Sequence, residues 1–428
     1  MNIFKKIKNF VVKAVCSSNK INVPIPVIIS RSEHNLSRKN INRNVLKVLY
    51  TLKDHGYQSY LVGGSVRDLL LDKHPKDFDI ATNAYPEKIK KLFKHCYIIG
   101  RRFQLVHVCF DKQVIEVATF RAKHRGQNSK EGMILRDNVY GNIEQDVMRR
   151  DFTINALYYN IVDYSLVDYV GGIKDLHAKQ VCLIGDPVTR YREDPVRMLR
   201  AIRFAAKLGF SIHPDTAKPI YTLGELLLNI SPARLYDEYV KLFFTGHPMS
   251  SLNELKKYEL FNILFPIFNL NPSNKKIDNF IMQGIRYIEH KISQNKEINP
   301  AYLIAILLWN SVVETAKEYI KNNEKISEFL AYKNIADKLL LEQNKIISIS
   351  KKLMMFIKDI WLLQVKLSKL AGKPGKRADK LIDSLKFNTA FDFLLIRAES
   401  GDKRAQKISR WWYKYLATKG RINDIANI

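Results

Sequence analysis

Two aspartates in one short segment have the spacing that metal-dependent chemistry uses. Residues 76–81 read KDFDIA, so Asp77 and Asp79 stand two positions apart beside apolar neighbours. Because side chains alternate along a strand, a strand over residues 77–81 puts both carboxylates on one face. Acids so placed repel each other unless a divalent cation lies between them, and two Mg²⁺ ions there can activate a hydroxyl and steady a leaving group. The alternative is an edge strand whose two acids face solvent.

A third carboxylate is expected at such a site, and two positions compete for it. Glu116 lies in the apolar run VIEV at residues 114–117, and Asp151 follows two arginines in RRDFTIN at residues 149–155. The arginines suit a polyphosphate site and equally suit a local ion pair. Residue types alone favour neither candidate over the other as the third carboxylate.

Paired glycines come shortly before these acids. In LVGGSVRDLL, residues 61–70, a short apolar run meets Gly63 and Gly64 and continues into a helical pattern. Missing side chains let the backbone approach a phosphate closely, and a helix that begins there directs its N–H groups toward the anion. Arg67 can offer a bidentate fork to the same oxygens. The alternative is a tight strand-to-helix turn without a ligand.

A further segment combines an acid with regularly spaced arginines, in EDPVRMLRAIRF at residues 193–204. Arg197, Arg200 and Arg203 recur every three residues, which predicts a cationic stripe along a helix. Asp194 and Arg197 offer one acceptor and one donor to the edge of a nucleobase, and the other two arginines can face phosphates. In the alternative, Asp194 only caps a helix that begins at Pro195, and the stripe is a solvated face.

The elements that position these segments fall into two halves. Four runs read as strands, at residues 59–62, 77–81, 105–110 and 114–120, and helical patterns at residues 44–54 and 86–93 alternate with them. After Glu193 the strand patterns fade, and apolar residues recur at helical period, as at residues 301–308 and 347–363. We predict an α+β head with a mixed sheet and flanking helices, followed by an all-α C-terminal half.

The charge balance indicates a polyanionic partner. The chain carries 70 Lys and Arg against 42 Asp and Glu, a formal net charge of +28. Residues 1–47 hold ten basic groups and one acid, and residues 343–428 hold nineteen and seven, so both ends are basic. Such a surface attracts nucleic acid, although lysine-rich solvated helices give a similar composition.

Composition also excludes several classes of protein. A hydrophobic content of 46% argues against disorder, and the four cysteines form no CxxC pair or zinc-spaced cluster, as is typical of a reducing compartment. No apolar run reaches about 18 residues, so we expect a cytoplasmic protein without stable membrane insertion. Lys13 interrupts the first apolar stretch, which argues against a signal peptide and leaves a basic amphipathic helix or a frayed leader.

Four segments in this order, GGSVRD, DFDIAT, RRDFTINAL and EDPVRMLRAIRFAAKLGF, resemble the class II nucleotidyltransferases. That family comprises the bacterial poly(A) polymerases and the CCA-adding enzymes. The similarity extends from about residue 31 to about residue 265. The stretches RSEH at residues 31–34 and IIGRRF at residues 98–103 resemble the poly(A) polymerases in particular.

The resemblance implies a role for each candidate residue. Asp77 and Asp79 match the metal-binding pair of the family, and Asp151 matches its further catalytic aspartate, which leaves Glu116 as a structural or accessory carboxylate. The positions that match the turn for the triphosphate and primer end are Gly63, Gly64 and Arg67. The positions that match the pair reading the incoming base are Asp194 and Arg197, with Arg200 and Arg203 nearby on the same helix.

The resemblance further implies a template-independent polynucleotide adenylyltransferase that uses ATP and Mg²⁺ to extend RNA 3′ ends, in support of RNA decay. The alternatives are a CCA-adding tRNA nucleotidyltransferase and a non-catalytic RNA-binding protein. Expected partners are RNA 3′ ends, ATP and proteins of RNA decay, and we expect a monomer. The predicted regions are a basic leader (residues 1–40), a catalytic head (41–190), a nucleobase-recognising helical neck (191–270) and a helical RNA-binding body (271–428).

Overall fold

The structure is a computed structural model that describes residues 25–100, 104–111, 113–122, 139–268 and 275–421. The chain divides into two compact units. The head unit takes the described residues up to 122, then 139–150 and 155–172. The helical unit takes residues 151–154 and the described residues from 173 onward. The boundary therefore separates Arg150 from Asp151.

One mixed sheet of eight strands forms the centre of the head unit, in the order β1-β8-β7-β2-β3-β6-β5-β4. β3 pairs antiparallel with β2 and parallel with β6, and the other neighbours in the sheet pair antiparallel. The strands are β1 Val27–Ile29, β2 Ser59–Val62, β3 Asp79–Thr82, β4 Cys96–Ile99, β5 Leu105–Phe110, β6 Gln113–Thr119, β7 Leu157–Asn160 and β8 Leu166–Asp168.

The predicted mixed sheet is confirmed, with two differences around the paired aspartates. β3 begins at Asp79, so Asp77 precedes the strand and the alternation of a strand does not set its direction. β3 also lies in the middle of the sheet, which makes the alternative of an edge strand wrong. A further difference is β1, which lies inside the predicted leader and pairs with β8.

The helices of the head unit cover the sheet and carry the paired glycines. They are α1 Arg43–Asp54, α2 Gly64–Leu70, α3 Pro86–Leu92, α4 Ile143–Arg149 and the start of α5 Gly172–His177. α1 begins after Asn42, whose side chain accepts the N–H of Asn44, and its buried face of Val45, Val48, Leu49 and Leu52 packs toward β2. α2 follows β2 directly, with Gly63 between them.

The second unit is mainly helical, as predicted. Its helices are α6 Pro187–Glu193, α7 Val196–Leu208, α8 Pro214–Leu223, α9 Pro232–Phe244, α10 Pro248–Lys257, α11 Leu260–Leu264, α12 Lys275–Ser293, α13 Ala301–Lys321, α14 Glu328–Asn344, α15 Lys351–Leu370, α16 Lys376–Ile382, α17 Phe387–Glu399 and α18 Lys403–Thr418. α7 packs on α9 and α10, while α12 and α13 pack among the later helices. Two short strands, β9 Gln180–Val181 and β10 Ser211–Ile212, pair in parallel, so the expectation of helices alone after Glu193 is wrong at β10.

α15 ends at Leu370 and α16 begins at Lys376, so residues 371–375 separate two helices. Within the described residues, no helix is long and apolar enough to cross a membrane, and Cys96, Cys109 and Cys182 are unpaired. The basic amphipathic start and Arg101, Arg102 and Phe103 lie outside the described residues.

Candidate active site

The glycine turn brings the backbone close to the second aspartate of the pair. Gly63 has φ +79° and ψ −141°, a conformation that side chains disfavour. A Cβ atom on Gly63 would lie 3.5 Å from Oδ2 of Asp79. This approach follows from the sheet, because Val62 and Asp79 pair directly across β2 and β3. The head unit thus places the glycine turn beside the carboxylate.

Negative charge accumulates around Asp79. Asp79 pairs with Glu116 across β3 and β6, and Asp77 is two residues away along the chain. Although Asp79 is exposed at the surface, the protein atoms around its carboxylate desolvate it, and Glu116 adds repulsion. Together with a smaller contribution from Asp77, these causes raise the pKa of Asp79 to about 6, against the opposing effect of Arg150. The cluster therefore holds more negative charge than its own cations balance.

Arg150 borders this site, and it forms the local ion pair that was one of the two interpretations of the arginines before Asp151. Its Nη1 would lie 3.8 Å from a Cβ atom on Gly63, so the guanidinium borders the same turn. Arg150 Nη2 donates to Asp146 Oδ2 at 2.9 Å, and Nε donates to the hydroxyl of Tyr158 at 2.8 Å. Asp146 is 1% exposed, and the Tyr158 hydroxyl donates to it at 2.6 Å. The spacing of four residues between Asp146 and Arg150 on a helical segment is the signal that could have revealed this pair.

Arg67 is buried in the head unit, 2% exposed. Its Nε and Nη2 form a fork on Oδ1 of Asp68, at 2.8 and 2.6 Å, and its Nη1 donates to the side-chain oxygen of Asn155 at 2.6 Å. Arg67 therefore ties the helix after the glycine turn to the segment that leads into β7. A role for Arg67 toward phosphate stays a prediction.

In the helical unit, Asp151 is bound by an arginine of the predicted stripe. Nε of Arg200 donates to Asp151 Oδ2 at 2.7 Å, and Nη2 contacts the same oxygen. The N–H of Phe152 donates to Oδ1 at 2.8 Å. Burial alone would raise the pKa of Asp151, but Arg200 and these hydrogen bonds outweigh it and hold the pKa below its ordinary value. Asp151 is therefore ionised and neutralised within its own unit.

Asp194 lies between α6 and α7 and is held from a distant helix. Nη2 of Arg234 on α9 donates to Asp194 Oδ2 at 2.7 Å, whereas Oδ1 is buried and accepts no hydrogen bond from the described residues. The N-cap position of α7 is Pro195, and it makes no side-chain capping bond. Asp194 is therefore not the side-chain cap that one alternative required. Arg234 was missed because it stands forty residues further along the chain, with no local spacing to reveal it.

The arginine stripe on α7 is largely enclosed by protein. Arg197 is 8% exposed, and its Nη1 donates to the carbonyl oxygen of Arg190 at 2.8 Å and lies 3.3 Å from Glu193. Arg203 lies 3.7 Å from Glu238 and packs over the ring of Phe204. The alternative of a solvated face is therefore wrong. These arginines form a paired network with acids of α6 and α9.

Three kinds of comparison place this chain among known proteins. A family model described as the Poly A polymerase head domain matches residues 59–182. Models described as the probable RNA and SrmB-binding site of polymerase A and as the polymerase A arginine-rich C-terminus match residues 209–270 and 324–424. The first of these matches spans the glycine turn, the paired aspartates and the RRD segment.

Relatives and solved structures agree with these matches. The chain is 42% identical to poly(A) polymerase I of Salmonella typhimurium in an alignment 445 positions long, which covers 99% of this chain and 95% of the relative. It is 41% identical to a CCA-adding enzyme of Lactobacillus helveticus, over 47% of this chain and 50% of that enzyme. The structure of the Thermotoga maritima CCA-adding enzyme with tRNA has the same fold, at a TM-score of 0.63 and 19% identity, over 94% of this chain and 87% of that one.

The fold, the head-domain match and the full-length relatives define this protein as a nucleotidyltransferase. Within that class, the chain belongs to the poly(A) polymerase family.

Proposed function

We propose that this protein is a template-independent polynucleotide adenylyltransferase, which transfers AMP from ATP to RNA 3′ ends and releases pyrophosphate. One observation carries the choice within the family: the similarity to poly(A) polymerase I covers 99% of the chain, whereas the similarity to the CCA-adding enzyme covers 47% at nearly equal identity. The part of the chain outside the shared half therefore favours poly(A) addition. A CCA-adding activity is the second candidate because nearly half of the chain is 41% identical to a CCA-adding enzyme.

The acidic cluster of the head unit fits a divalent cation, and the expected ion is Mg²⁺. Burial first, and then repulsion from Glu116 and Asp77, disfavour the ionised form of Asp79 more than Arg150 favours it, so a cation beside Asp79 would stabilise that form. No three Asp, Glu, His or Cys side chains in the described parts of the chain form a metal-holding group. Mg²⁺ commonly takes one or two carboxylates together with substrate phosphates, so Asp77 and Asp79 are sufficient protein ligands. When bound, the ion would lower the pKa of a hydroxyl and neutralise phosphate charge.

The protein's own groups in the head unit position the reacting phosphate. Gly63 exposes its backbone beside Asp79, which leaves room for phosphate oxygens that a side chain would displace. In the reaction the RNA 3′-oxygen bonds to the α-phosphorus of ATP, and the bond from that phosphorus to the bridging oxygen breaks, so that pyrophosphate leaves. Orientation of the two reactants supplies much of the rate enhancement for such transfers.

The helical unit carries the proposed base-recognition residues. Among the described residues, none donates to Oδ1 of Asp194, and Arg234 holds the same carboxylate through Oδ2. Such an acceptor favours a base with an exocyclic amino group, which adenine and cytosine have and uracil lacks. Nη1 of Arg197 is held by Arg190 and Glu193, so a donor toward the base would be another N–H of this guanidinium. The catalytic role of Asp151 and the phosphate roles of Arg200 and Arg203 belong to the same proposal.

The remaining expectations stay predictions: the four regions of the chain, RNA-decay partners, a monomer and a cytoplasmic location. The positive charge of +28 supports RNA as the partner, because Lys and Arg that neutralise phosphates supply sequence-independent affinity.

The test is incorporation of each labelled nucleotide alone, with Mg²⁺, onto an unstructured RNA and onto a tRNA that lacks its CCA end. We expect long ladders from ATP alone on the unstructured RNA. Addition of CTP and then ATP to the tRNA, with arrest after three residues, would instead assign CCA addition. Absence of incorporation on both primers would support the non-catalytic alternative.

A further inference from the structure

A cavity in the helical unit combines aromatic and cationic side chains that none of the proposed reaction steps uses. It has a volume of about 430 Å³ and lies among α12, α13, the end of α17 and the start of α18. Small-ligand sites typically have volumes of about 300–1,000 Å³. The cavity can therefore hold a molecule considerably larger than a single inorganic anion.

The inner wall of the cavity is aromatic. Phe280 and Trp309 line it and are 6% and 7% exposed. The guanidinium of Arg397 lies 4.9 Å from the centre of the Trp309 ring, and Asn310 adds an amide that can both donate and accept. A flat, partly polar ring system is the kind of group that such a wall accommodates.

The rim of the cavity is cationic. Lys317, Lys403 and Arg404 are exposed lining residues, and in the described part of the chain none of them forms a salt bridge. Asp402 is the acid of the lining, and Nη2 of Arg397 already donates to it at 2.6 Å. Three positive charges of the rim therefore remain uncompensated, which is an environment for phosphate oxygens.

We propose that this cavity binds one nucleotide of the RNA chain, separately from the residues that bind the reacting ATP. The aromatic wall suits the base, and the cationic rim suits the phosphates on either side of it. RNA is favoured over a free nucleotide because the rim side chains are exposed, so a polymer can continue from the cavity in both directions. The inference rests on the proposed function, which supplies an RNA substrate.

The test uses full-length protein and a fluorescent oligoadenylate that ends in 3′-deoxyadenosine, so that binding is measured without extension. The variant is the double substitution Lys317→Gln with Lys403→Gln. Its matched control is Lys321→Gln with Lys414→Gln, which removes the same charge from exposed positions of the same two helices. We expect the cavity variant to weaken binding about tenfold at fixed salt and to reduce the salt slope by roughly 1.4, about 0.7 for each lost contact. The control should change neither quantity by a comparable amount.

A second readout tests the aromatic wall. An oligonucleotide with 5-iodouridine in its interior should crosslink to the peptide that contains Trp309, and the cavity variant should lose this crosslink. Equal binding by the cavity variant and the control, with the crosslink retained, would overturn the proposal.

Competitors distinguish other occupants of the cavity. AMP that binds wild type but not the cavity variant, while both bind the oligoadenylate equally, would assign the cavity to a free nucleotide and overturn the RNA proposal. Polyglutamate that displaces the oligoadenylate from the cavity as well as unlabelled RNA does would point to an acidic protein and also overturn it. Wild-type extension of RNA, measured in parallel, separates failure of this proposal from failure of the proposed function.

Discussion

Asp79 in the head unit and Asp151 in the helical unit lie in opposite electrostatic surroundings. Desolvation and Glu116 raise the pKa of Asp79 to about 6, although the positive charge of Arg150 acts to lower it. Asp151 is bound by the guanidinium of Arg200, which holds its pKa below the ordinary value. Both are carboxylates of the motifs that the family resemblance assigns to catalysis, but Arg200 binds Asp151 directly, whereas Arg150 only partly offsets the causes that raise the pKa of Asp79.

The difference indicates which of the two carboxylates would gain from a positive charge that the protein itself does not supply. A carboxylate that is destabilised by its neighbours gains from a bound cation, whereas one already paired with an arginine gains little. The surroundings of Asp79 therefore favour the role of a metal ligand. Those of Asp151 favour a residue that holds Arg200 in place, or one that releases Arg200 when a substrate group replaces it. Perturbed acids of the first kind often mark functional sites.

Replacing Asp79 by Asn should have the largest effect on activity. The variant removes the charge that a metal ion would bind, so we expect AMP incorporation to fall by at least about 100-fold. Because the folded protein raises the pKa of Asp79, ionised Asp79 is unfavourable for folding above about pH 6, and the amide relieves this. The melting temperature should therefore stay the same or rise.

Single-nucleotide incorporation and thermal melts on the same samples check this prediction. Asp54→Asn, at the exposed end of α1, is the matched control and should keep wild-type activity. A folded Asp79→Asn variant with wild-type rates would remove Asp79 from the site.

Asp146→Asn should affect stability more than any other substitution considered in the head unit. Asp146 is buried and accepts hydrogen bonds from Arg149, Arg150 and Tyr158. Loss of one partner from a buried ion pair costs about 3 kcal/mol or more. We expect the free energy of unfolding in urea to fall by about this amount, whereas Glu87→Gln at an exposed position of α3 should change it little.

The same residue gives a pH dependence with a defined sign. Burial alone would raise the pKa of Asp146, but Arg150 and Arg149 outweigh it and hold the pKa at about 2, below the value of about 4 for an unfolded chain. Its contribution to stability is therefore complete above about pH 4 and is lost as the pH falls toward 2. The difference between wild type and Asp146→Asn should shrink across this window. A constant difference would contradict the assigned cause.

Local patterns predicted much of the fold but little of the pairing around the two aspartates. Short runs rich in β-forming residues located β2 and β5 at their observed bounds, where buried residues stand among half-buried ones. This pattern missed β1, β4, β7 and β8 of the main sheet. β1 pairs with β8 and β7 pairs with β2 across long stretches of chain, whereas β7 also pairs with the nearby β8 and β4 with the nearby β5. The start of β3 was also placed two residues early, because the apolar pattern does not show where pairing to Val62 begins.

The candidate site shows the same limit. Types and spacing identified Asp77, Asp79, Gly63 and Asp151, and the family resemblance was needed to prefer Asp151 over Glu116. No pattern indicated that Arg200 binds Asp151 across forty-nine positions, or that Arg234 binds Asp194 across forty. Such pairs depend on how helices pack, which single-sequence reasoning does not resolve.

The pair of Asp151 and Arg200 can be measured by a double-mutant cycle. Arg200→Gln leaves a mostly buried carboxylate without its guanidinium, so we expect a loss of about 1–3 kcal/mol in unfolding free energy. Asp151→Asn combined with Arg200→Gln should cost less than the sum of the single changes, since both remove one interaction. The coupling energy should decrease below about pH 4, because the lowered pKa of folded Asp151 gives the ion pair its full contribution to stability only above that pH. Strictly additive effects at neutral pH would show that the contact is absent in solution.

Two glycine substitutions separate the geometry of the glycine turn from its conformational cost. Gly63→Ala forces a side chain into φ +79° and ψ −141°, which costs about 1–3 kcal/mol, and Gly209→Ala at the end of α7 forces one into a left-handed conformation for about 1–2 kcal/mol. Only the Cβ atom at Gly63 lies near Asp79, at 3.5 Å from Oδ2, whereas no atom lies within 4 Å of the one at Gly209. We therefore expect both variants to lose stability but only Gly63→Ala to lose AMP incorporation, by about tenfold or more. Equal activity in the two variants at a temperature where both are folded would mean that the approach of Gly63 to Asp79 serves the turn and not the substrate.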